Sequence, residues 1–173
     1  MQARSRTLWG PLTAFGLTAA AIACVLDQAS KLWLLEVFDL AHKGVIKLAP
    51  FVDIVLTWNT GISYGWFQQE GPFGQGALLA IKVAAVALLW IWLAKASSRL
   101  SAVSLGLIIG GAIGNGIDRL TYGAVADFVL LHAETATWRF NWFVFNLADV
   151  AIVAGVAGLL YESLWGESAP KAP

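Results

Sequence analysis

The sequence predicts an all-α membrane protein with four transmembrane helices and a small sheet outside the bilayer. The first reason is composition: 58% of the 173 residues are hydrophobic and only 13% are charged, whereas soluble domains carry about 25% charged residues. The second reason is the mean hydropathy of +0.70, which is concentrated in windows long enough to cross a bilayer. A chain of this composition uses lipid as the solvent for much of its surface.

Four windows have the apolar length of about 20 residues that a spanning helix requires. They cover residues 8–26, 71–94, 100–117 and 142–165. The second window contains Lys82, and the fourth contains Asp149 in its first third. Residues 36–70 are polar and rich in turn-forming residues, which indicates a long loop outside the bilayer. We interpret residues 1–173 as a single integral-membrane domain.

Basic residues predict the orientation of the spans, because short cytoplasmic segments collect Lys and Arg. Arg4 and Arg6 precede the first window, Lys95 and Arg99 separate the second from the third, and Lys171 lies in the C-terminal tail. Basic residues on the other side are diluted by Asp and Glu, so the bias is modest. Both termini are expected in the cytoplasm, with the long loop on the extracytoplasmic side.

The N-terminal segment has a second interpretation, a lipoprotein signal peptide with Cys24 as the lipidated residue. Ala21 stands where such signals favour Leu, and the apolar run continues past Cys24. A membrane span is therefore the preferred interpretation of this segment.

One part of the long loop has a pattern that is typical of a strand. Residues 51–58 alternate, with Val52, Ile54 and Leu56 on one face and Asp53 and Thr57 on the other. Residues 59–61, Asn-Thr-Gly, form a turn signal directly after it. We expect a small sheet on the membrane surface, which residues 62–67 would continue.

Nearly every unusual polar residue falls at the outer end of a predicted span or in a loop on that side. These residues are Asp27 and Lys31 after the first window, Asn59 in the long loop, Asn115, Asp118 and Arg119 at the end of the third window, Asp127 in the following segment, and Asn146 and Asp149 in the fourth window. Because these ends lie on one side of the membrane, we expect the side chains to meet.

Two of these carboxylates suggest a chemistry. A carboxylate such as Asp149 inside a span costs about 2.5–3.5 kcal/mol on insertion scales, so it should have a partner, for which Asp127 is the natural candidate. Two carboxyl groups close together in a low-dielectric pocket cannot both ionise easily and would share one proton. Such a pair can act as a base toward water and as an acid toward a leaving amine, as in aspartic proteases.

Other interpretations stay open from the spacing alone. Asp149 can form a structural ion pair with Arg119 or Arg139, or the buried aspartates can form the relay of a small proton or ion transporter. The chain lacks the broken, inverted-repeat spans that transporters often show. A nucleophilic enzyme using Ser63 and His132 is disfavoured, because no nucleophile motif surrounds either residue.

Charge and cysteine content exclude several further classes. Eleven Lys and Arg balance eleven Asp and Glu, so there is no net positive field for a nucleic-acid partner. One cysteine and two histidines supply neither a disulfide framework nor the usual ligand set of a zinc site. We expect no metal and no other cofactor.

Five short blocks of the sequence carry a family resemblance. They are Asp27-Gln28-Ala29-Ser30-Lys31, Asn59-Thr60-Gly61, Gly114-Asn115-Gly116-Ile117-Asp118-Arg119, Gly123-Ala124-Val125-Ala126-Asp127-Phe128 and Phe145-Asn146-Leu147-Ala148-Asp149. In this order they resemble the motifs of the bacterial lipoprotein signal peptidases, also called signal peptidase II or prolipoprotein signal peptidases. Each block is weak evidence alone, but the five together extend over nearly the whole chain.

The resemblance implies an intramembrane aspartic endopeptidase of the bacterial plasma membrane, with its active site on the extracytoplasmic side. Its partners would be membrane lipid and a diacylglyceryl-modified prolipoprotein, which it would cut just before the lipidated cysteine. The implied fold is a four-helix bundle with a small extracytoplasmic β-cradle. A self-contained site of this kind suggests that a monomer is sufficient.

The resemblance also implies residue roles. The catalytic aspartates of the family align with Asp127 and Asp149. The residues that would bind substrate or shape the site are Asn59, Gly61, Asn115, Asp118, Arg119, Asn146, Asp27 and Lys31. Residues 62–65, Ile-Ser-Tyr-Gly, depart from the Ala-Ala-Phe-Gly that many members have after Asn-x-Gly, so this loop is expected to differ in detail while the chemistry is kept.

Overall fold

A computed structural model describes residues 8–61, 72–134 and 137–165. The described chain begins and ends with a long helix, and all four strands lie between these two helices in sequence. The elements are α1 (Thr13–Leu32), which continues as a π-helical turn (Trp33–Val37), α2 (Leu40–Lys43), β1 (Ile46–Ala49), β2 (Val52–Asn59), α3 (Pro72–Leu93), α4 (Arg99–Tyr122), β3 (Val125–Glu134), β4 (Arg139–Asn141) and α5 (Leu147–Trp165).

The helices confirm a mostly helical membrane protein with a small antiparallel sheet. Within the described residues, three helical segments are long and apolar enough to cross a membrane, namely Thr13–Val37, Arg99–Tyr122 and Leu147–Trp165. Helix α3 contains a shorter apolar stretch, Leu79–Leu93. The count of four spans stays a prediction.

Helix α4 lies at the centre and packs against α1, α3 and α5. Two glycines of α4 allow α1 to come close, because a Cβ at Gly106 would collide with the backbone oxygen of Gly16, and one at Gly110 with that of Ala20. Small residues at such a spacing let helix backbones approach in lipid, where no hydrophobic driving force operates between helices. The central helix therefore brings the ends of the other helices together.

The outward faces of the helices are apolar and exposed. Only 11% of the most apolar 18-residue stretch of α5 is buried, and Val153 in this helix is 67% exposed. An exposed apolar surface of this extent is typical of a protein that faces lipid.

The structure corrects the predicted bounds of the first and third windows. Helix α1 begins at Thr13, whose Oγ1 accepts a hydrogen bond from the Gly10 amide at 2.8 Å, and it does not end at residue 26. It continues through Asp27 because the charges that suggested an end are paired inside the protein. Helix α4 extends beyond residue 117 to Tyr122, where Gly123 ends it with φ of 74°.

The fourth window was also placed wrongly. Helix α5 begins at Leu147 and not at residue 142, because the preceding residues are extended and Phe145 pairs with Val129 of β3. The Phe145 amide donates to the Val129 oxygen at 3.0 Å. Asp149 therefore lies in the first turn of α5.

The sheet has four antiparallel strands in the order β1-β2-β3-β4. Strand β2 confirms the strand predicted over residues 51–58, whereas the sequence did not identify β3 or β4. Thr57 pairs with Asp127 and Asn59 with Val125, so the end of β2 lies beside the start of β3. The predicted continuation over residues 62–67 lies outside the described residues.

Candidate active site

The first of two polar clusters at the end of the bundle consists of Asp27, Lys31 and Asp118, which we call the closed cluster. The Lys31 ammonium lies 2.9 Å from Asp27 and 2.8 Å from Asp118. Asp27 and Asp118 are fully buried and Lys31 is 2% exposed. One cation therefore lies between two buried carboxylates, which compensates much of the cost of burying them.

These carboxylates also accept hydrogen bonds from groups on three elements, α1, β3 and α5. Asp27 accepts from the Ala148 amide of α5 at 3.0 Å, and Asp118 from the Ala126 amide of β3 at 3.1 Å. The Gln28 side chain donates to Asp118 at 2.9 Å and to the Gly114 oxygen at 3.1 Å. The closed cluster thus joins α1, α4, β3 and α5, and Gln28 is a member that our sequence argument did not single out.

The second cluster contains Asp127 and Asp149, which line one cavity of about 120 Å³ together with Asn59. Asp127 is supplied by β3, which the pairing of β2 and β3 holds in place. Its Oδ1 accepts from the Asn146 amide group at 2.6 Å and its Oδ2 from that of Asn59 at 3.2 Å. Both oxygens of Asp127 are therefore oriented by side-chain amides.

Asp149 is held by the start of α5. Its Oδ2 accepts from the Asn146 backbone amide at 3.3 Å, while the Asp149 amide donates to the Asn146 Oδ1 at 3.0 Å. This reciprocal arrangement is a capping box, which fixes both side chains at the helix N-terminus. Asp149 Oδ1 also accepts from Asn115 at 3.0 Å.

Asn146 therefore bonds to both aspartates. Within the described residues no direct hydrogen bond joins Asp127 to Asp149, so the two share a cavity and are bridged by Asn146 rather than touching. Asn115 connects this second cluster to the closed one, because its Oδ1 accepts from Lys31 at 3.1 Å and from Asn146 at 3.0 Å.

Of the two structural ion pairs that we considered for Asp149, the one with Arg119 does not form, and the side chain of Arg139 lies outside the described part of the structure. Arg119 instead donates to the backbone oxygen of Gly61, and the Gly61 amide donates to Asn59 Oδ1 at 3.0 Å. Arg119 and Gly61 thus hold the turn that carries Asn59 next to Asp127. All of the predicted site residues lie in these two adjacent clusters or in this turn.

The environment of Asp127 favours its protonated form. Burial, followed by the negative charge of Asp149, raises the pKa of Asp127 to about 7, although the amide groups of Asn59 and Asn146 act in the opposite direction. Burial has this effect because a low dielectric penalises the charged carboxylate. At neutral pH this carboxyl can therefore both hold and release a proton.

Lys82 of α3 is a site residue that our sequence argument missed. It lines a cavity of about 80 Å³ together with Asn115, Arg119, Asp127 and Asp149. The sequence feature that could have identified Lys82 is a single charged residue inside an apolar window. Such a residue is by default a candidate for a functional role.

The described residues offer no group of three His, Cys, Asp or Glu that could hold a metal ion. His132, one half of the disfavoured nucleophilic pair, lies on β3 with its Nε2 3.3 Å from Asp53. Its supposed partner Ser63 lies outside the described residues. The carboxylates at the cavity are the groups here that can move a proton.

Comparisons with known proteins cover most of the chain. A family model described as signal peptidase (SPase) II matches residues 19–165. A lipoprotein signal peptidase of Nitrobacter hamburgensis is 61% identical over 158 residues, which cover 91% of this chain and 96% of the relative. A lipoprotein signal peptidase of Methylorubrum extorquens is 56% identical over 164 residues, which cover 94% of this chain and 92% of the relative.

Two solved structures, each described as a bacterial membrane enzyme, share the fold. The first has a TM-score of 0.72 at 20% identity and covers 92% of this chain and 95% of its own. The second has a TM-score of 0.71 at 21% identity and covers 93% of this chain and 99% of its own. At these identities the likeness concerns the fold alone.

Proposed function

The chain belongs to the signal peptidase II family, and on that premise we propose that it removes signal peptides from prolipoproteins by aspartic-protease chemistry at Asp127 and Asp149. The observation that carries this proposal is the shared cavity, which two carboxylates from separate elements line together. Family membership makes the chain a lipoprotein-processing peptidase, so the transporter alternative is not retained.

In the proposed reaction Asp127 holds the proton and Asp149 is ionised. The raised pKa of Asp127 supports the first assignment. The position of Asp149 supports the second, because a carboxylate at a helix N-terminus is stabilised by the helix dipole and by the backbone amide that it accepts from. A general acid and a general base thus lie on one cavity.

A water molecule between the two carboxyl groups is the nucleophile. Asp149 takes a proton from this water as its oxygen attacks the scissile carbonyl carbon, and Asp127 gives its proton to the carbonyl oxygen. When the tetrahedral species collapses, the C–N bond breaks, the leaving amine takes the proton from Asp149, and one hydroxyl proton returns to Asp127. No covalent intermediate with the enzyme is formed.

The remaining polar residues position these groups. Asn146 fixes the distance between the carboxyl groups because it bonds to both, and Asn115 and Asn59 orient Asp149 and Asp127 respectively. Arg119 holds the turn that carries Asn59, because it donates to the Gly61 backbone oxygen. The closed cluster keeps the helices in register around the site.

The substrate we propose is a diacylglyceryl-modified prolipoprotein, cut just before the lipidated cysteine. The cavity is lined by the apolar residues Phe143, Val144, Ile152 and Val153 in addition to its carboxylates. Since Val153 is strongly exposed, this wall continues into the lipid-facing surface of α5. Acyl chains can therefore stay in lipid while the adjoining peptide bond reaches the carboxyl groups.

The apolar helices and the family indicate a multi-pass protein of the inner membrane. We further propose that both termini are cytoplasmic and that the cavity opens on the extracytoplasmic side. Reporter fusions after Arg99 and after His132 should report opposite sides, and identical sides would contradict this orientation. One chain supplies both carboxyl groups, so a monomer is sufficient.

The proposal is tested with the purified chain and a prolipoprotein that does or does not carry the diacylglyceryl group. We expect cleavage of the lipidated form alone, with mass spectrometry locating the cut before the lipidated cysteine. Asp149→Asn should be inactive, whereas Asp39→Asn, the same change at an exposed residue outside the cavity, should cleave normally. Equal cleavage of both substrates would refute the lipid requirement, and an active Asp149→Asn would refute the mechanism.

A further inference from the structure

Lys82 is the charged group of the site whose presence the proposed reaction does not explain. It lies near the middle of α3 (Pro72–Leu93) and lines the same small cavity as Asp127 and Asp149. Among the described residues it forms neither a hydrogen bond nor an ion pair. A lysine whose ammonium group has no direct partner in the described part of the chain thus lines the cavity that holds the two carboxyl groups.

A lysine in the middle of an apolar helix is costly, about 2.5–3.5 kcal/mol on insertion scales, and needs a reason. The aliphatic part of the Lys82 side chain can extend toward a polar surface, which can explain why the residue is tolerated. This does not explain why Lys82 lines the cavity of Asp127 and Asp149. Asp149 lines the same cavity and supplies the opposite charge that such a lysine requires.

The charges around Lys82 come from every helix of the site. Asp127, Asp149 and Arg119 line the cavity together with Lys82, and Asp118 of α4 and Lys31 of α1 are the other charges near enough to interact with it. With Asp27 included, these are four carboxyl groups and three cations, of which Lys82 is one. They are therefore electrically neutral when one of the carboxyl groups is protonated and Lys82 is charged, which is the state that the proposed reaction needs.

This inference rests on the proposed function and assigns a role that the family motifs do not contain. We propose that Lys82 is a positioning residue whose ammonium keeps the Asp127–Asp149 pair in its one-proton form by stabilising the Asp149 carboxylate. Lys82 takes no proton in the reaction. Without Lys82 these charged groups would carry a net negative charge when one carboxyl group is protonated. A second proton would then bind more easily, and a protonated Asp149 could not act as the base.

The expected consequence is a change in pH dependence. On the acidic side, activity falls where Asp149 takes up the second proton. Removal of a nearby positive charge makes this uptake easier, so the acidic limb of kcat/KM should move to higher pH by about 0.5–1 unit. A purely structural role of Lys82 would lower activity at every pH and leave the limb in place.

The experiment measures kcat/KM against pH for the full chain and for Lys82→Met, Lys82→Gln and Lys82→Arg. We expect the limb to move to higher pH in both neutral variants and to stay in place in Lys82→Arg. Lys95→Met, which removes a lysine from the exposed segment just after α3, is the matched control and should not move the limb. Thermal unfolding of each variant identifies any that fails to fold.

The outcomes separate this inference from the proposed function. Acidic limbs of Lys82→Met and Lys82→Gln that superimpose on that of the parent chain would overturn the role of Lys82, even if Asp127→Asn and Asp149→Asn are inactive. A change in KM alone, with an unmoved limb, would overturn it as well. Activity in the two aspartate variants would instead refute the proposed function itself.

Discussion

The two polar clusters of this protein use the same residue type in opposite ways. In the closed cluster, Asp27 and Asp118 share one lysine at 2.9 and 2.8 Å, and each also accepts a hydrogen bond from a backbone amide. In the second cluster, Asp127 and Asp149 are held by neutral amide groups and line a cavity. The first pair is in direct contact with a cation and is fully buried, whereas the second pair has no cation in direct contact among the described residues and faces a cavity.

This difference shows how the partners of a carboxylate indicate whether it stabilises the fold or can take part in a reaction. A cation in direct contact stabilises the ionised form and removes a carboxylate from acid–base chemistry. An amide fixes the position of a carboxylate without supplying a full charge, so burial can still raise its pKa. We therefore expect variants of the closed cluster to lose stability and variants of Asp127 or Asp149 to lose activity.

The largest effect is expected for Lys31→Met. This change leaves two buried carboxylates facing each other without a cation, and breaking a buried ion pair in this way costs about 3–5 kcal/mol. The free energy of unfolding in detergent measures the loss. Lys47→Met, at an exposed position on β1, is the control and should be close to the parent chain. Equal stability of the two variants would show that the closed cluster does not hold the bundle together.

The next largest effect is expected for Asn146→Ala, and here the effect is a loss of activity. Without this side chain Asp127 loses its hydrogen bond of 2.6 Å and the Asp149 backbone amide loses its cap, so among the described side chains Asp127 is held by Asn59 alone. Misplacement of a reacting group by about 1 Å can cost roughly 100-fold in rate. Loss of the helix cap should lower stability by only about 0.5–2 kcal/mol. Asn141→Ala, an exposed asparagine of β4, is the control. A variant of Asn146 with normal kcat would exclude its role as the bridge.

The pH dependence of kcat/KM tests the Asp127–Asp149 pair, and here we expect a smaller effect. Because the pKa of Asp127 is raised to about 7, its acid form is present below this pH and is lost above it. We expect kcat/KM to fall about tenfold per pH unit on the alkaline side of pH 7. A profile measured with stability controls at each pH checks this. Activity that stays level up to pH 9 would mean that Asp127 is not the acid.

The smallest effect is expected for metal removal. The described residues hold no group of three metal-ligating side chains, so EDTA should leave the cleavage rate unchanged. A loss of activity that zinc restores would contradict a reaction carried by carboxyl groups alone.

The sequence predicted the helical membrane class, strand β2 and the residues of both clusters. It did not predict β3, because the alternation of Asp127 with apolar residues is short and its partner strand is distant in sequence. It also gave the wrong end for α1, since Asp27 looked like the end of an apolar run, and the wrong start for α5, since the apolar residues from 142 onward are extended and Phe145 pairs with Val129. The charge of Asp27 is compensated by Lys31, and such partners cannot be recognised before the chain is folded.

Lys82 illustrates the same limit for the site. Its charge was visible in the sequence, but the helix face it occupies depends on how α3 packs against α4. The division of the aspartates between the closed cluster and the second cluster also depends on packing, because the sequence places all four on the same side of the membrane and does not show which of them contact a cation. Position in three dimensions, and not residue type, decides which carboxylates can react.

The most direct test of the account is single-turnover cleavage of a lipidated prolipoprotein by Asp127→Asn and Asp149→Asn, with substrate binding measured separately. We expect both variants to bind substrate within a few-fold of the parent chain. Their cleavage rates should each be lower by about 1,000-fold or more, as expected when a general acid or base is removed. Cleavage by either variant at more than a tenth of the parent rate would contradict the central claim that this pair of carboxyl groups performs the hydrolysis.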